Sequence, residues 1–304
     1  MKGSAILDLL KKTGREWLDD NALTQAAALA YYAVFSMAPL LVIAIAVASL
    51  VFDRATVQEF IVQQIQGLAG QQGAELVTSM LNSDDEPGTN ILAAGIGIAV
   101  LLFGASGVFG QLQESLNTMW DVKAKSKGFL GIVKDRFFSF TMVICVGFLL
   151  LITLFVSAAL AAFGTWSASL LPGAETFMMT INLVVSFLVI TALFALVFKY
   201  VPDAKVEWHD VWLGAAFTAL LFTGGKFLIG LYLGKAGIAG KFGAAGSLVV
   251  ILLWVYYSGL ISFLGAEFTQ VYANTRGSRI VPDKNAEPLT EEARQRQRGR
   301  NKPI

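Results

Sequence analysis

Apolar residues in this chain come in long unbroken runs, not in stripes. Six windows, 29–52, 91–110, 137–163, 177–198, 211–233 and 244–272, are nearly free of charge. Each reaches the roughly 20 residues that a helix needs to cross a hydrocarbon core. Runs such as Leu149-Leu150-Leu151-Ile152 do not alternate, which excludes an outer-membrane barrel built of strands with alternating apolar and polar positions. The pattern predicts an all-α polytopic membrane protein with six transmembrane helices.

The segments between the runs carry a second, amphipathic pattern. Ile6, Leu9, Leu10, Thr13 and Trp17 recur at helical spacing, with Asp8, Lys11, Lys12, Arg15 and Glu16 on the other face. That predicts an interfacial helix within residues 1–28, its lysines near anionic headgroups. In the 53–90 loop, Val57, Phe60, Ile61, Ile65 and Leu68, then Leu76, Val77, Met80 and Leu81, repeat the device. Ser83-Asp84-Asp85-Glu86-Pro87-Gly88 is turn chemistry leading back to the second span. After Tyr272 the chain turns polar, with Pro282, Pro288 and Pro303 and a basic end, so residues 273–304 are expected to be a disordered tail. Residues 29–272 then form one membrane domain. The charged first 28 residues and the long first run indicate an uncleaved anchor.

Composition sharpens this picture. Apolar residues make up 55% of the chain and charged residues only 15%, against about 25% in soluble domains. A soluble enzyme, a disordered protein and a disulfide scaffold are excluded; Cys145 is the single cysteine, so no intrachain disulfide forms. Basic residues fix the orientation, because they resist translocation. With both termini inside, only Arg54, Lys235 and Lys241 fall outside, Lys226 lies within a span, and every other Lys and Arg is cytoplasmic. Positive-inside anchoring accounts for these residues without any nucleic acid.

Four stretches resemble the YihY/virulence factor BrkB family, once labelled ribonuclease BN. They are Ala30-Tyr31-Tyr32 with Phe35-Ser36-Met37-Ala38-Pro39-Leu40; Leu116-Asn117 with Trp120; Tyr200, Pro202, Trp208, Asp210 and Gly214-Ala215; and Gly243, Gly246, Leu253-Trp254, Tyr256 and Gly265-Ala266-Glu267. The resemblance implies a six-helix protein of the bacterial inner membrane, described as a transporter or export factor, and supplies no substrate.

The old label invites a search for catalysis. A metal-dependent nuclease clusters His, Asp or Glu around its ions, whereas His209 is the only histidine and stands in a short cytoplasmic loop. No P-loop, dinucleotide fingerprint or activated nucleophile is present. The expectation is no enzyme and no cofactor; any energy source is a gradient or a partner subunit.

Ionisable residues inside spans are costly, so the exceptions mark candidate pathway contacts. Lys226 sits about 10 Å from the exterior end of the fifth helix at 1.5 Å per residue. It either snorkels to the interface or, beside Gly224-Gly225, lines a cavity. Glu267 lies near the cytoplasmic end of the sixth helix, where an ion pair with Lys199 or Arg136 is the plain reading and the Gly-Ala-Glu pattern a reason to look further. Gly234, Gly237, Gly240, Gly243 and Gly246 recur every third residue. With Lys235 and Lys241 they make either a flexible exterior loop or backbone donors for an anion. Asn117 stands on a cytoplasmic extension of the second helix. Pro39 is expected to kink the first. Tyr31, Tyr32, Trp120, Trp208 and Trp212 are expected as belt anchors at the inner boundary.

These features point to a transporter-like protein that moves or exposes an amphipathic or charged solute. Membrane lipids are its surroundings, and an anionic lipid or lipid-linked molecule is the first candidate ligand. A cation/proton antiporter is the nearest rival, although none of the first five spans holds an Asp or Glu. A scaffold that binds a partner through the 53–90 loop or the tail is the rival from another class. Nothing in the pattern fixes an oligomeric state.

Overall fold

A computed structural model describes residues 3–82, 107–125, 174–236 and 246–290. The described chain is mostly helical. In order it forms α1 (Gly3–Asp19), α2 (Ala22–Ala48), α3 (Arg54–Asn82), a helix α4 over 107–119, β1 (Val122–Ala124), α5 (Ala174–Tyr200), β2 (Ala204–Lys205), α6 (Trp208–Ala236), α7 (Gly246–Arg276), β3 (Val281–Pro282) and β4 (Ala286–Pro288). Three helical stretches are long and apolar enough to cross a membrane: Leu183–Tyr200 in α5, Trp208–Ile229 in α6 and all of α7. A fourth is α2, taken as one bent span. The expected second and third spans fall largely or wholly on 83–106 and 126–173, outside the described residues.

Helix α7 is the axis of the fold and packs against α1, α2, α3 and α6. At one end Ala22, Ala26 and Leu29 of α2, Leu116, Met119 and Trp120 around α4, Phe194 and Phe198 of α5, Ala215 of α6 and Phe263 and Ala266 of α7 share a core. At the other end Ile45 and Ala48 of α2 meet Val57, Ile61, Val77 and Leu81 of α3 and Val250 and Ile251 of α7. The amphipathic faces read from the 53–90 segment therefore turn inward onto α2 and α7. Asp53 starts α3 by accepting from the Ala55 amide at 3.0 Å. Gly70, at φ 76°, breaks α3 in two with a conformation that a side chain disfavours.

Helix α1 also packs inward. Leu9 is buried against Phe268 and Val271, and the Trp17 indole donates to the Leu260 carbonyl at 3.3 Å. Ile6, Leu7, Leu10 and Leu18 remain exposed, beside exposed Lys11, Lys12 and Arg15. One turn of chain separates α1 from α2, with Asn21 at φ 56°. Helix α2 starts seven residues before the charge-free window. Its first turn is polar because Gln25 accepts from Gln111 at 3.0 Å and Ser115 at 2.9 Å.

The expected tail of 273–304 needs correcting. Helix α7 continues to Arg276, and the next residues fold back as two short strands. β4 pairs antiparallel with β1 (Lys123 opposite Glu287) and β3 with β2 (Lys205 opposite Val281). Backbone bonds from Leu289 to Asp121 at 2.7 Å and from Asp283 to Asp203 at 2.9 Å extend both pairings. Order here comes from pairing with distant loops, which a polar composition cannot reveal. Residues 291–304 lie outside the described chain.

Candidate functional site

The strand-bearing end of the bundle gathers several of the motif residues. Trp120 closes α4. Its ring packs edge-on against Phe198, and its indole donates to the Ala266 carbonyl of α7 at 3.1 Å. At 2% exposure it is a core residue and not the belt anchor its place in the sequence suggested. Tyr31, Tyr32, Trp208 and Trp212 are exposed, as belt residues are. Asp121 follows Trp120 at φ 56°, a left-handed turn that aspartate tolerates better than most residues. That turn brings its carboxylate to the Gln270 side chain of α7, which donates to it at 2.7 Å.

One turn before Gln270 stands Glu267, fully buried. Neither of its oxygens receives a bond from a nitrogen or hydroxyl donor. Asp20 at the α1–α2 junction, Asp121 and Glu16 lie near enough to act on it electrostatically. Asp20 itself is buried. Three segments distant in the chain thus bring together four carboxyl groups, the buried glutamate and three near it, with the Gln270 amide bonded to Asp121. Lys199, considered as a partner for Glu267, instead donates to the Val206 carbonyl and lies over the Trp208 ring at 5.6 Å.

Asn117 is used differently. Its amide donates to Asp203 Oδ2 at 2.9 Å, and its carbonyl accepts from the Asp203 backbone at 2.7 Å. This two-way bond ties α4 to the α5–α6 turn, a positioning role. Asp210, in the first turn of α6, accepts from the Ser278 amide at 3.0 Å and hydroxyl at 2.7 Å. A side chain at Gly277 would overlap that carboxylate. His209 is largely exposed beside it.

Helices α6 and α7 meet through a reciprocal pair of small residues. A Cβ on Gly214 would overlap Thr269, and one on Gly265 would overlap Thr218. Each threonine bonds back to the glycine carbonyl four residues earlier on its own helix, at 2.7 Å. Further along, Gly225 is filled by the Tyr257 side chain, whereas Gly224 faces open space.

Lys226 lies next to Gly225 but is exposed, with Leu220, Phe227 and Leu228 exposed around it. It is therefore far from Glu267 in character: one charge is on the outer face of α6, the other inside. Gly246 begins α7 and is buried. Lys235 is in the last turn of α6, its side chain outside the description, and Lys241 and Gly243 lie outside the described residues altogether. Helix α2 bends by 58° between Ala22–Met37 and Leu40–Ala46, and Pro39 is one of the two residues between. Sequence reading missed Asp20, Asp121, Asp203 and Gln270. A faint signal existed for the first two, an acidic pair before the first apolar run and an acidic residue directly after Trp120.

Comparison with known proteins follows the same residues. The model of a family described as virulence factor BrkB matches residues 13–290. Over 289 residues the chain is 30% identical to a UPF0761 membrane protein of Azotobacter vinelandii, covering 91% of this chain and 66% of that one. A UPF0761 membrane protein of Pseudomonas paraeruginosa is 27% identical over 270 residues, covering 86% and 61% respectively. A third, from Pseudomonas aeruginosa, is 28% identical over 260 residues, covering 82% and 59%. The chain spans about three fifths of the length of the two Pseudomonas relatives and 66% of the Azotobacter one. No solved structure matches it.

Proposed function

This chain belongs to the virulence factor BrkB family of membrane proteins, and from that premise we propose that it is a carrier-like protein that moves or exposes an amphipathic, anionic solute. The observation that supports this most is the clasp at both ends of one helix pair. At one end α1 and the start of α2 lie on α7; at the other α3 lies across Ile45 and Ala48 of α2 and Val250 and Ile251 of α7. Between the two clasps α2 bends by 58°. A pathway with alternating access needs a closure at each face, one releasing while the other holds. Two amphipathic helical elements on one bent pair supply both parts.

Lys226 gives the solute its sign. An ammonium on an apolar outer face either reaches for the interface or meets an anionic headgroup whose tail lies along Phe227 and Leu228. This favours a lipid or lipid-linked anion over a small free ion, and a carrier over a catalyst. The test is reconstitution: vesicles containing labelled phosphatidylglycerol should expose inner-leaflet lipid faster with the protein than without it. Equal rates would overturn the reading.

The proposal places the protein in a bacterial inner membrane with both ends in the cytoplasm, on the strength of its basic residues. With Cys145→Ser as background, Gln64→Cys on the exposed face of α3 should react with an impermeant maleimide in intact spheroplasts. Reaction only after lysis would reverse the orientation.

A further inference from the structure

Helix α1 carries two apolar faces, one turned into the protein and one turned out. On the inner face Leu9 packs on Phe268 and Val271, Thr13 is buried, and the Trp17 indole bonds to the Leu260 carbonyl. On the outer face Leu7, Leu10 and Leu18 are 54%, 42% and 59% exposed. Steps of three and four residues, with Gly14 between Leu10 and Leu18, set them in one row along the helix. A Cβ on Gly14 would meet nothing within 4 Å, so the middle of that row is open. We propose that the outer row is a binding face for anionic phospholipid, with the leucines among the acyl chains and Lys11 and Arg15 on the headgroup. This face is separate from Lys226, and lipid held here is bound, not carried.

Position and charge select the occupant. The inner face of α1 lies on Leu260, Phe268 and Val271 of α7, a helix long and apolar enough to cross a membrane. A helix packed on the flank of a span has protein on one side and lipid on the other. Leu7, Lys11, Arg15 and Leu18 follow one another at helical steps, so the two cations border the leucines. Both are exposed. Their stems cover apolar surface while the charged ends reach for phosphate. The acidic side chains Asp8, Glu16 and Asp19 share the following row with Lys12, one step farther from Leu7 and Leu18. A phospholipid answers both parts of the face, with chains for the leucines and a phosphate for the cations.

The spacing in the sequence marked Ile6, Leu9, Leu10, Thr13 and Trp17 for the membrane. Leu9, Thr13 and Trp17 are instead turned onto the bundle, and Leu7 and Leu18 take their place outside. Helix α1 is thereby held from both sides. Because one turn of chain joins it to α2, bound lipid secures the end of the bundle where Ala22 and Ala26 pack.

The test uses the full chain with Cys145→Ser and Gly14→Cys, and a bimane fluorophore attached at position 14. The labelled protein is placed in nanodiscs of equal parts phosphatidylglycerol and phosphatidylcholine. In one set only the phosphatidylglycerol carries brominated chains, which quench the fluorophore at short range; in the other, only the phosphatidylcholine does. Both sets should quench, the first at least about twofold more strongly, since each cation near a headgroup favours the anionic lipid. Lys11→Gln with Arg15→Gln should make the two sets equal. Lys123→Gln with Lys284→Gln removes the same charge from exposed positions on the strand-bearing loops and should keep the preference. Equal quenching in the parent, or a preference that survives Lys11→Gln with Arg15→Gln, overturns the proposal. So does a preference lost equally in Lys123→Gln with Lys284→Gln. Quenching by neither lipid also overturns it, and if the unlabelled Gly14→Cys protein then cross-links into dimers on oxidation, a second copy occupies the face.

Discussion

Replacing Gly265 with leucine should leave little folded protein after extraction in mild detergent. The site has no room for even one methyl group, because a Cβ there already overlaps the oxygen and both carbons of the Thr218 side chain. Overpacking of a close contact typically costs about 1–3 kcal/mol where neighbours can yield. Here they cannot yield cheaply. Thr218 is held to the Gly214 carbonyl, and Gly214 is itself pressed against Thr269. Moving one contact apart therefore opens the other. Small residues at a helix–helix contact are how membrane helices gain close packing when no hydrophobic drive favours association in lipid. Gly265→Ala combined with Thr218→Gly should recover a monodisperse elution peak, since it returns the room that the methyl takes. Gly224→Ala, facing open space, should melt within a degree or two of the parent. A Gly265→Leu protein that elutes and melts normally would show that α6 and α7 are not packed as described.

Trp120→Ala carries the second large effect. The indole is nearly inaccessible, fills space beside Phe198 and donates to the Ala266 carbonyl. Deleting a buried aromatic of this size costs about 3–5 kcal/mol. Trp120→Phe keeps most of the volume and loses one hydrogen bond, roughly 1 kcal/mol. The alanine variant should thus melt far below the phenylalanine one. Equal and small shifts would return Trp120 to the membrane surface, where the sequence pattern had put it.

That contrast shows what a sequence of this kind discloses. Charge-free length is a physical requirement of spanning, so α2, α5, α6 and α7 could be read directly from it. Helical spacing in 53–90 likewise announced α3 and the face it buries, through Val57, Ile61, Val77 and Leu81. The strands did not show, because two or three residues of backbone pairing leave no periodic trace. Their partners, such as Lys123 and Glu287, are far apart in the chain. Trp120 was misplaced because aromatic residues near a span boundary suit both a belt and a core; only the turn at Asp121 decides between them. Glu267 was visible as an anomaly, but its neighbours were not. Asp20 reaches it through the break at Asn21, and Asp121 through a left-handed turn, two backbone events with no signature in composition. Lys226 shows the reverse: its depth in the span was readable, and its outward exposure required the packing of Gly225 against Tyr257 on the adjacent face.

Lipid exposure in vesicles is the measurement that meets the carrier claim most directly. Purified protein is reconstituted with a small fraction of phosphatidylglycerol bearing a reducible fluorophore, and an impermeant reductant is added outside. Empty vesicles should lose only the outer-leaflet half of the signal at once. Vesicles with wild-type protein should lose the rest several-fold faster than empty ones, and Lys226→Met, which keeps the stem and removes the charge, should slow that phase while its melting temperature stays near the parent's. Wild-type vesicles that retain the inner-leaflet signal as long as empty ones do would contradict the account.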